Sequence, residues 1–267
     1  MSTLIRAPEL PIGESWAVAW VETTSLSFAA RHESNDTEAA ERVLDSLERF
    51  RDRLGRHYDF TPGDVSVVIH SRPLMLALAH PWLPLARLAA APASRRYFAG
   101  WFASSEIHVL APAALERRAS SVEGSRDALL LTPQHEYAHL VVGAANPDLP
   151  PPFTPGTFRR YVRRAWLCEG AATWLSGQTR HLRAAVVRRL HEGPRPAFPP
   201  STRDAQLLGG TLFAMLAEEA GPGAAVELAA TRDSVRDRPA IEHVFGRPAA
   251  TVERDWRGYL ASLSPAG

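Results

Sequence analysis

Residues 129–142 read LLLTPQHEYAHLVV, and this stretch decides the fold. It places His135 and His139 four positions apart, with apolar residues on both sides. Residues at i and i+4 share one face of a helix, so we predict a buried helix that holds the two imidazoles side by side. Pro133 interrupts the pattern: it either begins this helix, with Thr132 as the N-cap, or kinks it.

Upstream of this stretch, runs of β-branched and aromatic residues predict a small sheet. The predicted strands fall at 16–30, which holds one or two, and at 65–70, 100–102 and 106–110. A helix is predicted over 36–56, because apolar residues recur there at helical spacing after a capping residue, Asn35 or Asp36. The apolar stretch 73–93 is broken by proline, histidine and arginine, so it predicts short buried helices instead of a membrane span.

Downstream, the pattern changes to helices. A helix over 126–145 is followed by residues 146–157, which hold five prolines and one glycine and predict a loop. Further helices are predicted at 158–176, 179–191, 204–220, 223–231, 240–245 and 249–263. A sheet followed by helices predicts an α+β fold with a cleft between the halves. We therefore divide the chain into an N-terminal extension over 1–15, a subdomain over 16–145 and a helical C-terminal subdomain over 146–267.

The composition excludes several classes of protein. With 267 residues, of which 45% are hydrophobic and 22% charged, the chain can build a packed core and is not of the disordered class. A formal net charge of +1 gives no bulk electrostatic reason to bind nucleic acid. The single cysteine, Cys168, excludes an intrachain disulfide. We recognise no secretory signal or spanning segment, so we expect a cytoplasmic protein with no nucleic-acid or membrane partner, and the oligomeric state stays open.

The two histidines have the spacing of metal ligands. Two imidazoles on one helix face can bind one Zn²⁺ together, and Glu136 beside them can take a proton from zinc-bound water and deliver it to a leaving amine. A catalytic zinc site needs a third protein ligand. Glu169 is the candidate, because it lies in an apolar helical stretch where an unpaired carboxylate would be costly. Two alternatives stay open: the histidines make ordinary hydrogen bonds, and Glu169 pairs with Arg163 or Arg164.

Together, the two motifs resemble those of a known family. HEYAH at 135–139, followed by WLCEGAA at 166–172, is similar to the pattern of the gluzincin zinc metallopeptidases, the thermolysin-like group, and especially of their peptidase MA-like domains. The resemblance extends more weakly over 16–263, including the strands at 99–103 and 106–110.

The resemblance implies a fold, a cofactor and a reaction. The fold would be zincin-like, with a small mixed sheet and helices ahead of a mainly helical half and the zinc cleft between them. One Zn²⁺ per chain would be bound by His135, His139 and Glu169, and Glu136 would be the general base in the hydrolysis of a peptide or protein substrate. The substrate would lie along the strand residues Gly100, Trp101, Phe102 and Ala103.

One position departs from the family pattern. A tyrosine that helps to stabilise the oxyanion often stands shortly before the helix that corresponds to residues 210–213, and Leu207 occupies that position here. Losing one such donor costs about 10²–10³ in rate. Three residues are candidates for the role: Tyr161, His181 and His191. The departure favours a second hypothesis, a zinc-binding pseudo-peptidase that binds peptides without cutting them, and a third is a metal-free helical interaction protein.

Other features admit both a functional and an ordinary interpretation. Nine arginines between residues 158 and 195 form either a basic rim for an acidic substrate or partner, or solvated helix faces. The proline-rich loop 146–157 is either a rim of the cleft or a spacer. Cys168 is expected to be a small core residue instead of a fourth ligand. The remaining histidines show no ligand spacing, and His108 faces the cleft if the hairpin at 100–110 lines it.

Overall fold

The structure, a computed structural model, describes residues 19–232 and 236–263, except for the side chain of Trp82. The predicted N-terminal extension, 1–15, and the first residues of the predicted strand region 16–30 lie outside these ranges. Within them, no helix is both long enough and apolar enough to cross a membrane.

The described residues form one mixed sheet of five strands. The strands are β1 (Trp20–Thr24), β2 (Phe28–Glu33), β3 (Val65–His70), β4 (Gly100–Phe102) and β5 (Glu106–Leu110). Their order is β1-β2-β3-β5-β4; β2, β3 and β5 are parallel, and the two outer strands run antiparallel to their neighbours. The predicted strands are confirmed, with two in the first region.

The helices follow the sheet in the chain and also interrupt it. They are α1 (Thr37–Leu54), α2 (Pro73–Ala79), α3 (Trp82–Ala89), α4 (Pro112–Arg118), α5 (Ser125–Leu130), α6 (Thr132–Ala145), α7 (Pro155–Arg163), α8 (Ala165–Ser176), α9 (Arg183–His191), α10 (Gly210–Ala220), α11 (Pro222–Ala229), α12 (Asp237–Phe245) and α13 (Ala249–Ser262). Short 3₁₀ turns occur at Ser34–Asp36, Arg95–Tyr97 and Gln178–His181, and a π-helical turn at Ala205–Gly209. A mixed α+β fold is thereby confirmed.

The burial of the strands explains their sequence pattern. β3 lies between two strands and is covered on both faces, so it reads as a run of β-branched residues without polar alternation. On one face, Val43, Leu47 and Phe50 of α1 pack in the same hydrophobic cluster as Val67 and Ile69 of β3. β4 forms one edge of the sheet.

The predicted helix over 126–145 is two helices, α5 and α6, separated at Leu131. Pro133 lies in the first turn of α6, where its missing N–H removes no helical hydrogen bond, so it begins the helix instead of kinking it. Thr132 does not act as an N-cap, because its hydroxyl donates back to the carbonyl of Leu129 at 2.6 Å. Asp36 occupies the N-cap position of α1 as predicted, but its side chain makes no capping hydrogen bond, because its carboxylate accepts from the hydroxyl of Ser71 at 2.8 Å.

Two other predicted helices also differ from the observed ones in where they begin or break. The segment 158–176 breaks at Arg164, whose buried guanidinium pairs with Asp237 at 2.8 Å. α7 begins at Pro155, earlier than predicted, because Thr154 and Thr157 form a reciprocal capping box. The segment 204–220 opens with the π-helical turn before it continues as α10.

The stretch 73–93 forms the two short helices α2 and α3, but the prediction that they are buried is wrong. Leu76 and Leu83 reach the core, whereas Leu74 is 66% exposed and Leu78 is 68% exposed. Only one side of each helix contacts the rest of the described chain, so the apolar residues on the other side face outward.

The core consists of two hydrophobic clusters that meet along α6 and α8. Tyr137 and Ala138 of α6 pack in the cluster of the sheet, whereas Leu167 and Cys168 of α8 belong to the cluster of the helical half. Ala172 of α8 packs on the sheet side, which draws the two helices together. The elements with the motif residues therefore lie where the two clusters join.

Gly170 allows a close approach of α8 to the π-helical turn. In the structure it faces Gly209 of the π-helical turn, and a Cβ on Gly170 would lie 2.7 Å from the carbonyl carbon of Gly209. No larger residue fits either position without moving a backbone.

We therefore expect Gly170→Ala to lower the free energy of unfolding by about 1–3 kcal/mol, because the added methyl overpacks a contact between backbones. The matched control is Gly258→Ala in α13, where a Cβ would meet no atom within 4 Å; there alanine should be neutral or stabilise by up to about 1 kcal/mol. Urea unfolding measures both. Equal stability of the two variants would contradict the close approach.

Candidate metal centre

Three buried side chains converge between α6 and α8. The Nε2 atoms of His135 and His139 lie 3.1 Å apart, and the carboxylate oxygens of Glu169 lie 3.3 Å from the Nε2 atom of His135 and 3.6 Å from that of His139. Among the described residues, this is the group of histidine, cysteine and acidic side chains whose potential ligand atoms all fall within 4.8 Å of one another. It could hold a metal ion.

Two of the three side chains have a further polar neighbour that holds them in place. The Tyr161 hydroxyl donates to Glu169 at 2.5 Å, and the Nδ1 atom of His139 lies 3.4 Å from the sulfur of Cys168. The Nδ1 atom of His135 and the Oε1 atom of Gln178 are both buried without a hydrogen-bond partner, although the two residues adjoin. Such outer contacts orient ligands and set their tautomers.

The electrostatics of the group favour a bound cation. Burial would raise the pKa of Glu169, but its proximity to His139 and the hydrogen bonds from His135 and Tyr161 outweigh burial and lower the pKa to about 2. Burial lowers the pKa of His139 to about 3. Burial also opposes protonation of His135, but its hydrogen bond with Glu169 and the nearby Glu136 raise its pKa. Metal binding would displace that last proton.

Glu136 lies next to the three converging side chains but is not one of them. Burial raises its pKa to about 8; the charge of Glu169 adds to this rise, and His135 opposes it. Its side chain packs against the backbone of Gly100, where a Cβ would lie 2.5 Å from the Oε1 atom of Glu136. A glycine at the start of β4 therefore makes room for this carboxylate.

A cavity of about 340 Å³ opens onto the group. Its walls are largely apolar, and the ionisable groups that line it are Tyr97, His135, Glu136, His139, Tyr161 and Glu169. The remaining walls come from α3, β4, α7 and the π-helical turn.

Three of the four strand residues that were predicted to bind the substrate line this cavity. Gly100, Trp101 and Phe102 line it, but Ala103 does not, and its N–H donates to Glu106 at 2.7 Å in the turn to β5. The ring of Phe102 stacks on His139 with 4.1 Å between centroids. Phe102 therefore covers one of the converging imidazoles.

β4 also offers main-chain hydrogen-bonding groups. The carbonyl of Ala99 and the N–H of Ala103 bond to β5. Because backbone groups alternate in direction along an antiparallel strand, those of Gly100 and Phe102 point to the open edge of the sheet. An extended peptide could pair with them.

The candidate oxyanion donors occupy different places. Tyr161 lines the cavity. His181 lies near Asp127, with 3.9 Å between their nearest ring nitrogen and oxygen, and His191 is exposed at the end of α9; neither lines the cavity. Leu207 stands where the gluzincin pattern often has a tyrosine. It points into the core and is 1% exposed.

The sequence analysis missed Gln206, which lines the cavity beside Leu207. Its side chain is buried, and its Nε2 atom has no hydrogen-bond partner. An amide with an unused donor at a cavity wall is available to a ligand. The only sequence signal for Gln206 was its position next to Leu207, which departs from the gluzincin pattern.

The proline-rich loop contributes to the cleft. Phe153 stacks on Trp101 with 5.4 Å between ring centroids and lies 5.0 Å from Phe102 and 6.3 Å from Tyr161. The loop thus covers the aromatic residues of β4, which favours the rim interpretation over that of a spacer.

The nine arginines do not share one role. Arg164 and Arg189 are buried in ion pairs with Asp237 and Asp204. These two pair with acids elsewhere in the chain, as that interpretation expects, but they are buried instead of solvated. Arg159 and Arg163 are exposed on α7.

His108 does not face the cleft. It lies on the opposite face of the sheet from Ile107, where its Nδ1 atom is 3.0 Å from His70 and its Nε2 atom is 2.6 Å from Glu106. His80 packs edge-on against it, with ring centroids 4.1 Å apart. These histidines are structural neighbours that sequence spacing did not reveal.

Comparisons with known proteins add no assignment. No protein-family model matches the chain, and no curated protein matches it. The function proposed for the site therefore rests on the geometry of its residues.

The contact between Cys168 and His139 has a measurable consequence. If the group binds a metal ion, we expect Cys168→Ala to weaken that binding by about tenfold, because outer-shell partners of a ligating histidine contribute about 10–100-fold to metal affinity. Cys168→Ser, which restores a hydrogen-bonding group, should recover most of the loss. Titration against a chromogenic chelator measures the affinity, and equal values for the alanine variant and the wild type would contradict the role of the thiol.

Proposed function

We propose that this chain is a zinc-dependent metallopeptidase of gluzincin type with a zincin-like fold. The observation that carries the proposal is the convergence of His135, His139 and Glu169 at the base of a cleft, with Glu136 beside them. The cleft is flanked by the open edge of β4, which suits an extended peptide or protein substrate.

The side chains fit zinc by their chemistry. Two imidazoles and one carboxylate are a frequent ligand set of catalytic zinc, and these three are buried, close together and held by outer contacts. When bound, the metal ion would supply a polarised carbonyl and a water of lowered pKa.

Glu136 would act as the general base and then the general acid. Burial raises the pKa of Glu136 to about 8, and the positive charge of a bound metal ion beside it would favour the deprotonated carboxylate, which is the form that can accept a proton. It would accept a proton from the attacking water and donate it to the departing amine. Its burial excludes bulk water from this transfer.

The chain's own residues would also place the substrate. The backbone groups of Gly100 and Phe102 would pair with the main chain of the peptide. The Tyr161 hydroxyl lies at the cavity wall and donates its single proton to Glu169 at 2.5 Å in this structure. Once Glu169 binds the metal ion, this hydroxyl would release the carboxylate and donate to the developing oxyanion in place of the tyrosine that is missing at Leu207.

One observation favours a second candidate. Leu207 points into the core, so the oxyanion donor typical of the family is missing at that position. A zinc-binding pseudo-peptidase, which binds peptides in the same cleft without hydrolysis, follows if Tyr161 does not replace that donor.

The variant Glu136→Gln separates chemistry from metal binding. We expect it to abolish cleavage of a quenched fluorescent peptide library while zinc stays bound, because the amide cannot accept the proton. Full retained turnover would remove Glu136 from the mechanism. A zinc-loaded wild type that cleaves no peptide in the library would favour the pseudo-peptidase.

Gly100→Ala should give a similar loss of turnover by displacing the Glu136 side chain from its place against β4. The matched control is Gly223→Ala in α11, where a Cβ would meet no atom within 4 Å. Zinc content should be unchanged in both variants. Normal turnover of Gly100→Ala would contradict the packing of Glu136 on β4.

A further inference from the structure

The large hydrophobic side chains that are exposed among the described residues are unevenly distributed. Seven of the ten lie on the three helices α2, α3 and α7. We call these seven the apolar collar: Leu74, Met75, Leu78, Leu85, Leu88, Phe158 and Val162. Isolated exposed hydrophobic residues are ordinary, but such a concentration marks an interaction surface.

Part of the collar borders the cleft. Leu85 of α3 and Phe158 and Val162 of α7 line the cavity that contains Glu136. α2 contacts α3 and continues the collar away from the cavity. Each helix carries collar residues three or four positions apart, with Met75 directly after Leu74 on α2, so each helix turns one apolar face outward.

The sequence segments that carry the collar hold basic residues and no acidic ones. Residues 65–105, which include α2 and α3, contain four arginines and no acidic residue. Residues 149–168, which include α7, likewise contain four arginines and no acidic residue, although one of these arginines, Arg164, is buried in an ion pair with Asp237. Arg72, Arg95 and Arg159 are exposed.

We propose that the apolar collar docks onto an anionic lipid bilayer, with its leucines and Phe158 in the interfacial region and the exposed arginines at the lipid phosphates. A surface of apolar residues with arginine at its margin is the composition of helices that lie in a membrane interface. The collar would anchor the chain on the bilayer without spanning it.

Charge complementarity favours a bilayer over a second copy of this chain. A symmetric dimer through the collar would bring the same acid-free, arginine-bearing segments of both copies together, and like charges would oppose it. A protein partner would require polar groups at the rim of the interface, and α2 and α3 present few apart from arginine and His80. Arg87 already donates to the carbonyl of Phe98.

Docking would bring the mouth of the cleft to the membrane surface. This proposal differs from the expectation, drawn from the sequence, of no membrane partner. That expectation rested on the lack of a recognisable spanning segment. The proposal does not depend on peptidase activity, because it rests on the exposed residues and not on the metal centre.

Vesicle flotation of the full chain tests it. The vesicles are phosphatidylcholine alone, or phosphatidylcholine with about 30 mol % phosphatidylglycerol. We expect the wild type to float with the anionic vesicles only, and less so as salt rises. The double variant Leu78→Asp/Leu85→Asp should bind at least about tenfold more weakly.

The matched control is Leu26→Asp, which places the same charge at a leucine that is 92% exposed in the turn between β1 and β2, outside the collar. It should bind like the wild type, and thermal unfolding should show that all variants fold. A wild type that does not float, or an equal loss in Leu26→Asp, would overturn the proposal. A dimer that Leu85→Asp dissociates, without vesicle binding, would assign the collar to a second copy.

Discussion

A buried carboxylate that needs a cation is the constraint on which this structure depends. Glu169 is only 5% exposed and lies between two imidazoles, with a tyrosine hydroxyl as its other partner. A charge removed from water is costly unless it is paired. The imidazole of His139, whose pKa burial lowers, and the Tyr161 hydroxyl give hydrogen bonds but no positive charge, so a metal ion that displaces the proton of His135 would balance the charge that the fold has buried.

The two halves of the chain meet where that carboxylate lies. α6 carries the histidines and packs on the sheet, whereas α8 carries Glu169 and packs into the helical half. Two glycines allow close contacts within the halves: Gly170 faces the backbone of Gly209 in the helical half, and Gly100 leaves space for Glu136 in the sheet half. Overpacking either position would move a functional side chain, so the site and the core share the same constraint.

The sequence predicted the strands and helices better than the contacts and breaks between them. Strands and helices follow from periodicity, and the pairing of His135 with His139 follows from helical spacing. Several features depend on contacts between distant residues, which no local pattern contains. These include the break at Arg164 that Asp237 stabilises, the hydrogen bond from Tyr161 to Glu169, the turn of Leu207 into the core, and the outward face of α2 and α3.

The central claim is that His135, His139 and Glu169 bind one metal ion together. The most direct measurement is anomalous X-ray scattering on both sides of the zinc absorption edge, from crystals of the chain grown with zinc. The account predicts one strong peak between the two Nε2 atoms and the Glu169 carboxylate, and its loss in Glu169→Gln crystals. No peak there, or a peak only elsewhere, such as beside His70 and His108, would contradict it.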